Sequence, residues 1–291
     1  RIVTEARKTR QQLPARSDYG SGTYRRRIQL RGMAGGQVRG ELADDFHHFV
    51  VEVTVEEKEE NVEGARVLDI RGEDVRVPWT TCPGALAPLR KMIGAKVSSP
   101  LAGLVRHTPG REQCTHLHDL ACLAIAHAGR MQATCDETTG ASDRVYDVAL
   151  PDRVAGQTAP SIRRDGSIVH AWSVEGNQIT RADPEAFSDR PLAGRPFQET
   201  LASLADADLS EAAWILQRAV FVGTGRRHDF EKMPDATHFA PIVGAACHSF
   251  ADERVRGAKK IPGTVRDFSQ NGDRIFDREV DDAIRPRRGG E

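Results

Sequence analysis

Residues 47–56 alternate with period two. His47, Phe49, Val51, Val53 and Val55 share one parity, and His48, Val50, Glu52, Thr54 and Glu56 share the other. Successive side chains of a strand point to opposite faces, so this pattern writes a strand with one apolar face and commits the region to a sheet covered on that side. A regular strand aims His47 at the core and His48 the other way. The period recurs nearby. Ile28 and Leu30 alternate with Arg27, Gln29 and Arg31, Gly35-Gly36 marks a turn, and Val38, Gly40 and Leu42 follow. Val67–Arg71 and Val75–Trp79 read as further strands, which together make an antiparallel meander.

The period then changes. Pro83 opens an expected helix over 83–93, because proline suits the first helical position, and Leu86, Leu89 and Ile93 give it an apolar stripe. Residues 95–113 are rich in Pro and Gly and read as a loop. A long helix is expected from His116 to about Met131 with Thr115 as its N-cap. On it His116, Leu120, Leu123, Ala124, His127 and Met131 fall on one face. A second β region spans about 144–180, where Asp165-Gly166 predicts a type I′ hairpin and Ile168, His170, Trp172 and Val174 share a face. The last third reads as mostly helical. Asp208 and Glu211 form a capping box for a helix over 209–222, Gly223 and Gly225 end it, and another helix is expected over 241–256. The fold class is α+β, with antiparallel sheet regions packed against several helices. A single domain is expected over 23–284, between an N-terminal arm at 1–22 and a flexible tail at 285–291.

Composition removes several function classes. Lys plus Arg number 41 and Asp plus Glu 42, so no net basic excess draws the chain to nucleic acid or an anionic membrane. No apolar run reaches the 18 residues of a membrane span, and residues 1–22 lack the apolar core of a secretory signal. The five cysteines, at 82, 114, 122, 135 and 247, are odd in number and do not form a dense framework, which argues against a secreted disulfide scaffold. A cytoplasmic protein is expected. A homodimer is expected only because twofold pairs are the commonest assembly.

Three stretches carry chemistry-bearing residues. Asp44-Asp45-Phe46-His47-His48 sets two carboxylates before two imidazoles, the side chain best suited to proton transfer near neutral pH. Cys114-Thr115-His116-Leu117-His118-Asp119 opens the long helix, whose electropositive N-terminus favours a thiolate or a bound anion, and Asp119 stands one turn after His116, where it can orient that ring. Val77-Pro78-Trp79-Thr80-Thr81-Cys82-Pro83-Gly84 runs from a strand into a helix start and can present hydroxyl, thiol and backbone N–H groups to a ligand. Each has a plain structural reading as well: a buried His bonded to the backbone, a carboxylate complementing a helix dipole, an ordinary cap. The Cys-x-His-x-His run with His47, His48 and Cys82 is chemically competent for zinc, but its spacing matches no common finger or HExxH pattern, so no metal is expected. No Walker loop or GxSxG elbow is present, and Gly223-Thr224-Gly225 is only a fragment of a dinucleotide fingerprint.

Taken together, Tyr24-Arg25-Arg26-Arg27-Ile28, Leu42-Ala43-Asp44-Asp45-Phe46-His47-His48-Phe49, Val77 to Ala85 and Cys114 to Ala121 resemble the bacterial family called domain of unknown function 2889. Weaker matches follow at Arg164-Asp165-Gly166, Trp172 and Arg266-Asp267-Phe268-Ser269. The family pattern often carries an aromatic residue where His118 stands, which weakens any role for His118. The resemblance implies degradation of plant-derived aromatics, by analogy with cofactor-independent lyases that release formaldehyde from lignin-type aromatic dimers. Such a lyase needs a base at a CH2OH group, donors for a phenolate oxygen, and apolar walls, but no metal or nicotinamide. His47 or His116 is then the expected base, with Asp45 or Asp119 behind it. Arg27 or Arg163 holds the phenolate, and Trp79 and Trp172 wall the rings. His48, Thr81, Cys82 and Cys114 complete the expected substrate-binding set. The alternatives are a hydrolase or thioesterase using Cys82 or Cys114 with His116, and a non-enzymatic module with a His-lined ligand pocket.

Overall fold

The computed structural model describes residues 13–57, 64–97, 102–108, 112–134, 143–187, 190–194 and 207–278. Strands β1 (Thr23–Met33), β2 (Gln37–Asp44), β3 (His48–Val55) and β4 (Val67–Arg76) form the expected meander. The strands β5 (Asp143–Pro151), β6 (Gln157–Thr158), β7 (Ser161–Arg164), β8 (Ser167–Glu175) and β9 (Gln178–Asp183) extend it. All belong to one nine-stranded antiparallel sheet of order β4-β3-β2-β1-β5-β7-β8-β6, with β9 also paired to β8. The two β regions of the sequence are therefore one sheet, joined where β1 pairs with β5 from Thr23↔Pro151 to Arg31↔Asp143. The architecture is α+β as the patterns require.

Two long helices cover one face. Helix α1 (Thr115–Thr134) crosses β1, β2 and β3, and helix α2 (Ala207–Gly223) lies on β5, β7 and β8. The inner parity of β1 is Tyr24, Arg26, Ile28 and Leu30, all buried. Helix α1 buries more than one stripe: Leu117, Ala121 and Ile125 are as hidden as Leu120, Leu123 and Ala124, as befits a helix that is apolar all round. Its cap is displaced by one residue from the expected Thr115. Thr115 is already helical, and the Cys114 sulfur accepts the N–H groups of His116 and Leu117.

Several expected elements differ. The two strands read at Val67–Arg71 and Val75–Trp79 are one strand, because Gly72, Glu73 and Asp74 pair with Val51, Val50 and Phe49 of β3. Gly72 lets the helical turn at Leu86–Leu89 approach closely, since a Cβ there would lie 2.8 Å from Leu86 Cδ2. The helix expected over 83–93 breaks into Cys82–Ala85, Leu86–Leu89 and Arg90–Met92, because Pro88 has no N–H for a continuous ladder. The helix expected over 241–256 is only Ala240–Val243. It stops at Gly244 (φ 59°), and one-turn helices follow at His248–Phe250 and Val255–Gly257. The Asp165-Gly166 hairpin has both φ values positive, 51° and 86°, as a type I′ turn requires. Ile168 lies near its tip and is exposed, while His170, Trp172 and Val174 are buried.

The described part of the expected arm docks on the body. Ala15 bridges to His228, and the Asp229 N–H donates to the Pro14 carbonyl over 2.8 Å. Residues 1–12 and the tail at 285–291 lie outside the described residues, as do Cys135 and the side chains of Met131 and Asp208.

Candidate functional site

Strands β2 and β3 meet in a tight turn at Asp44-Asp45-Phe46-His47, closed by the Asp44 N–H donating to the His47 carbonyl over 2.8 Å. Asp44 Oδ1 accepts the backbone N–H groups of Phe46 and His47, each at 2.8 Å, the side chain mimicking a backbone turn. Arg76, buried at the end of β4, reaches into the same turn. Its Nη2 donates to the carbonyls of Asp44 (2.7 Å) and His47 (3.1 Å), and its Nη1 to those of Asp45 (3.3 Å) and Thr264 (2.8 Å). The turn is thus held by a buried cation acting on carbonyl oxygens.

This geometry changes the reading of both histidines on the strand. His47 lies in the turn, before the ladder begins, so strand parity does not govern it. His48 is the first residue of β3 and is fully buried, with Nε2 2.8 Å from Glu41 Oε1 and its ring beside Phe276 at 5.8 Å. The expectation that His48 points outward is corrected: the second sheet face is covered here by the segment carrying Phe276 and Arg278.

The His47 ring instead stacks on that of His116, centroid to centroid 3.9 Å at 26°. Beneath the pair sits Asp44. Its Oδ1 is 3.3 Å from His47 Nδ1, and its Oδ2 is 3.8 Å from His116 Nε2. The same Oδ2 accepts Tyr24 Oη at 2.8 Å and Arg26 Nη2 at 2.8 Å. The Arg26 guanidinium and the imidazoles overcome burial and hold the Asp44 carboxyl well below its ordinary range. His116 is shifted the other way. Burial, then the neighbouring His47 and Arg26, keep its pKa well below the ordinary histidine value, so the ring is neutral. Its Nε2 is buried and has no hydrogen-bond partner.

The carboxylate behind the imidazoles is therefore Asp44 and not the expected Asp45 or Asp119. Asp45 turns away and pairs with buried Arg226. Burial pushes its carboxyl up to about 7, and its Oδ1 has no partner. Asp119 turns to α2, with Oδ2 3.1 Å from Arg218 Nε. The turn carries the Asp44 carboxyl back under His47, although Asp45 is nearer to His47 along the chain. The cation beside the site is Arg26, not Arg27. Arg27 has the outer parity of β1, where its Nε donates to Asp147 Oδ1 over 2.5 Å. Arg163 is exposed on that outer side too, opposite Asp147 in the ladder. Arg26, Tyr24 and Asp44 were missed, although the shared parity of Tyr24, Arg26, Ile28 and Leu30 carried the signal for the first two. Arg76, Arg218 and Arg226 have no local sequence signal.

The remaining expected residues fall into separate groups. Trp79 is buried against Phe230 (6.2 Å) and Phe250 (6.1 Å), and Phe230 in turn meets Phe46 at 5.2 Å, so Trp79 backs the turn through two rings and does not face the histidines. Thr81 donates to Ser249 Oγ over 2.9 Å, which donates to Cys82 Sγ over 3.3 Å. Burial pushes the Cys82 thiol up to about 12 and the Cys114 thiol well above its usual value, so neither has the electropositive, open setting of a nucleophilic thiolate. Trp172 lies on β8, four strands from β2, roughly 19 Å at ~4.8 Å per strand, too far to wall a ring held at His47. His118 faces its own helix, with Nε2 3.9 Å from Cys122 Sγ.

Among the described residues, Asp44, His47 and His116 form a group whose ligand atoms lie within 4.8 Å of one another. One feature opposes a cation there: both Asp44 oxygens already accept hydrogen bonds, Oδ1 from the turn N–H groups and Oδ2 from Tyr24 and Arg26. The arrangement suits proton transfer better, with one neutral imidazole, a second against it, and a fixed carboxylate below.

Residues 26–128 match the family model described as Protein of unknown function (DUF2889). The match covers β1 from Arg26, β2 to β4 and most of α1, and so holds Arg26, Asp44, His47 and His116 of the cluster, with Tyr24 two residues before it. No curated protein matches the chain. Arg218, Arg226 and Asp267, which pair with Asp119 and Asp45 or flank them, lie outside the DUF2889 match. Among the described residues, no helix is long and apolar enough to cross a membrane.

Proposed function

We propose that this protein is a cofactor-independent carbon–carbon lyase that releases formaldehyde from a lignin-type aromatic dimer, with His116 as general base. The observation that carries the reading is the buried, neutral His116 Nε2 without a hydrogen-bond partner, stacked on His47 above Asp44. A base of this kind is set to take a proton from a substrate hydroxyl. In the reaction, the phenol of a para-hydroxyaryl substrate gives up its proton while the benzylic C–O bond breaks; the oxygen leaves with the bonding pair and takes up that proton as a hydroxyl, which gives a quinone methide. His116 removes the proton of the side-chain CH2OH, and the C–C bond to that carbon breaks. Formaldehyde leaves, and the electron pair forms an alkene while the ring regains aromaticity as a phenolate. Asp44 stabilises positive charge on the imidazole pair, and Arg26 fixes Asp44.

The test is to incubate the full chain with a para-hydroxy diaryl substrate bearing a CH2OH group and to trap formaldehyde as a hydrazone. Turnover is expected, and it should fail for the para-methoxy analogue, which cannot form the quinone methide. His116→Ala should cut the rate by ~10²-fold or more, the usual scale for loss of a general base. His127 supplies the control. It is buried on the same helix but lies about 16 Å further along the axis. His127→Ala should cost ~1–3 kcal/mol of stability and leave turnover per folded molecule nearly unchanged. Formaldehyde from neither substrate, or equal rate losses in the two variants, would refute the proposal.

A further inference from the structure

Three polar groups converge on one turn of α1 with unused hydrogen-bonding capacity. His116 Nε2 is one, and Asp119 Oδ1, buried three residues on, is another. The third is the guanidinium of Arg218. It reaches over from α2, its Nε 3.1 Å from Asp119 Oδ2 as an ion pair, and its side chain is 34% exposed. The guanidinium also lies over the Trp214 ring at 5.5 Å. Trp214 and Arg218 are four apart on α2 and so share a face. Stacking on one side and the Asp119 carboxylate at Nε fix the plane of the guanidinium. Among the described residues its Nη1 and Nη2 make no hydrogen bond, and the partial exposure of the side chain leaves that edge within reach of a ligand. The charge of Arg218 also reaches His116, where it adds to the forces that keep the ring neutral.

A planar guanidinium with a free Nη edge fits an oxyanion, because two parallel N–H groups match carboxylate geometry and serve a phenolate equally. We infer that Arg218 is the anion-binding residue of this site and that the substrate carries an anionic oxygen, phenolate or carboxylate, seated on its Nη edge beside His116. This rests on the lyase reading for its chemistry, where the departing ring acquires phenolate character. It takes the place given to Arg27 or Arg163 on sequence grounds. Asp119 is a positioning residue that holds Arg218 at Nε and leaves its Nη edge for the ligand.

Calorimetric titration of the full chain with 4-nitrophenolate, 4-nitroanisole and benzoate tests the inference directly. The wild type should bind the phenolate or the benzoate at least about ten-fold more tightly than the neutral ether, the scale of one charge-assisted contact. The stronger of the two anions identifies the oxygen. Arg218→Met should abolish the preference, Arg218→Lys should keep part of it, and the distant His127→Ala should leave it in place. Thermal melts of both Arg218 variants show that the folded protein is being compared. If Arg218→Met binds as the wild type does, or the wild type shows no anion preference, the inference fails whether or not formaldehyde is released. If anion binding depends on Arg218 but no formaldehyde forms, the lyase reading fails and the anion site stands.

Discussion

His116 carries the chemistry proposed for this protein, and its environment fixes a pH dependence. Burial and then His47, Arg26 and Arg218 disfavour the imidazolium and outweigh Asp44, so the base form persists below pH 6.5. The acidic limb of a pH–rate profile should therefore fall below the ordinary histidine value. A limb at or above 6.5 would assign the base elsewhere. Asp45 behaves in the opposite sense. Burial raises its folded pKa from the ordinary carboxylate range to about 7, so the folded state holds a proton that the unfolded chain releases. Its contribution is fully present below the unfolded value and is lost as pH rises toward 7. Asparagine mimics the protonated form and has no such loss. The melting temperature of Asp45→Asn minus that of the wild type should thus rise between pH 5 and pH 8, and a flat or falling difference would show that Asp45 is ionised throughout. At this scale the sequence disclosed the residue types but not their pairing. The choice between Asp44 and Asp45 depends on a four-residue turn whose geometry is set by Arg76, 29 residues further on from His47.

Among the elements, Gly223 shows how a residue chosen for one physical reason serves another. It reads as a helix-ending glycine, but its φ is −62°, within the helical region, so no left-handed conformation is needed. What it provides is space: a Cβ there would lie 2.3 Å from Leu150 Cδ2 and 3.1 Å from the Tyr24 ring. Tyr24 is buried and bonded to Asp44, so its ring cannot swing aside freely. Gly223→Ala should cost ~1–3 kcal/mol by overpacking, read as a lower urea midpoint. An unchanged midpoint would mean that α2 slides without cost. The strands were legible because period two is written in contiguous residues, as were the hairpin at Asp165-Gly166 and helix α1. The irregular stretch after Gly244 was not, because its shape answers to partners remote in sequence, such as Phe250 against Trp79. The Glu211 carboxylate of the expected capping box also accepts Tyr146 Oη of β5 over 2.5 Å, a partner remote in sequence, while the Asp208 side chain lies outside the described residues.

Across the whole molecule, Arg226 joins segments that the chain separates widely. Its Nε donates to Asp152 Oδ1 over 2.8 Å, its Nη1 to Asp45, and its Nη2 to Ser269 Oγ over 3.2 Å, with Asp267 3.4 Å away. Asp152 Oδ2 also accepts the N–H groups of Gly20 and Gly22, and Arg16 pairs with Asp267. Removing the guanidinium leaves carboxylates buried without their cation, so Arg226→Met should destabilise by roughly 3–5 kcal/mol at pH 7. The deficit should shrink in acid as those groups accept protons. A loss under ~1 kcal/mol in denaturant melts would mean that water enters and replaces the arginine.

The place of β1 in the sheet has a consequence for how the chain acquires its shape. Its first partner, β2, follows it directly, but its other edge waits for β5, and the Arg27–Asp147 pair spans 120 positions. Closing so long a loop costs entropy before any contact returns it, and such topologies fold slowly. During synthesis at about 5–20 residues per second, β1 to β4 emerge as a meander with one bare edge several seconds before β5 is available. The histidine pair can stack as soon as α1 has formed. Its surroundings remain open until Arg226 and Asp267 have left the ribosome.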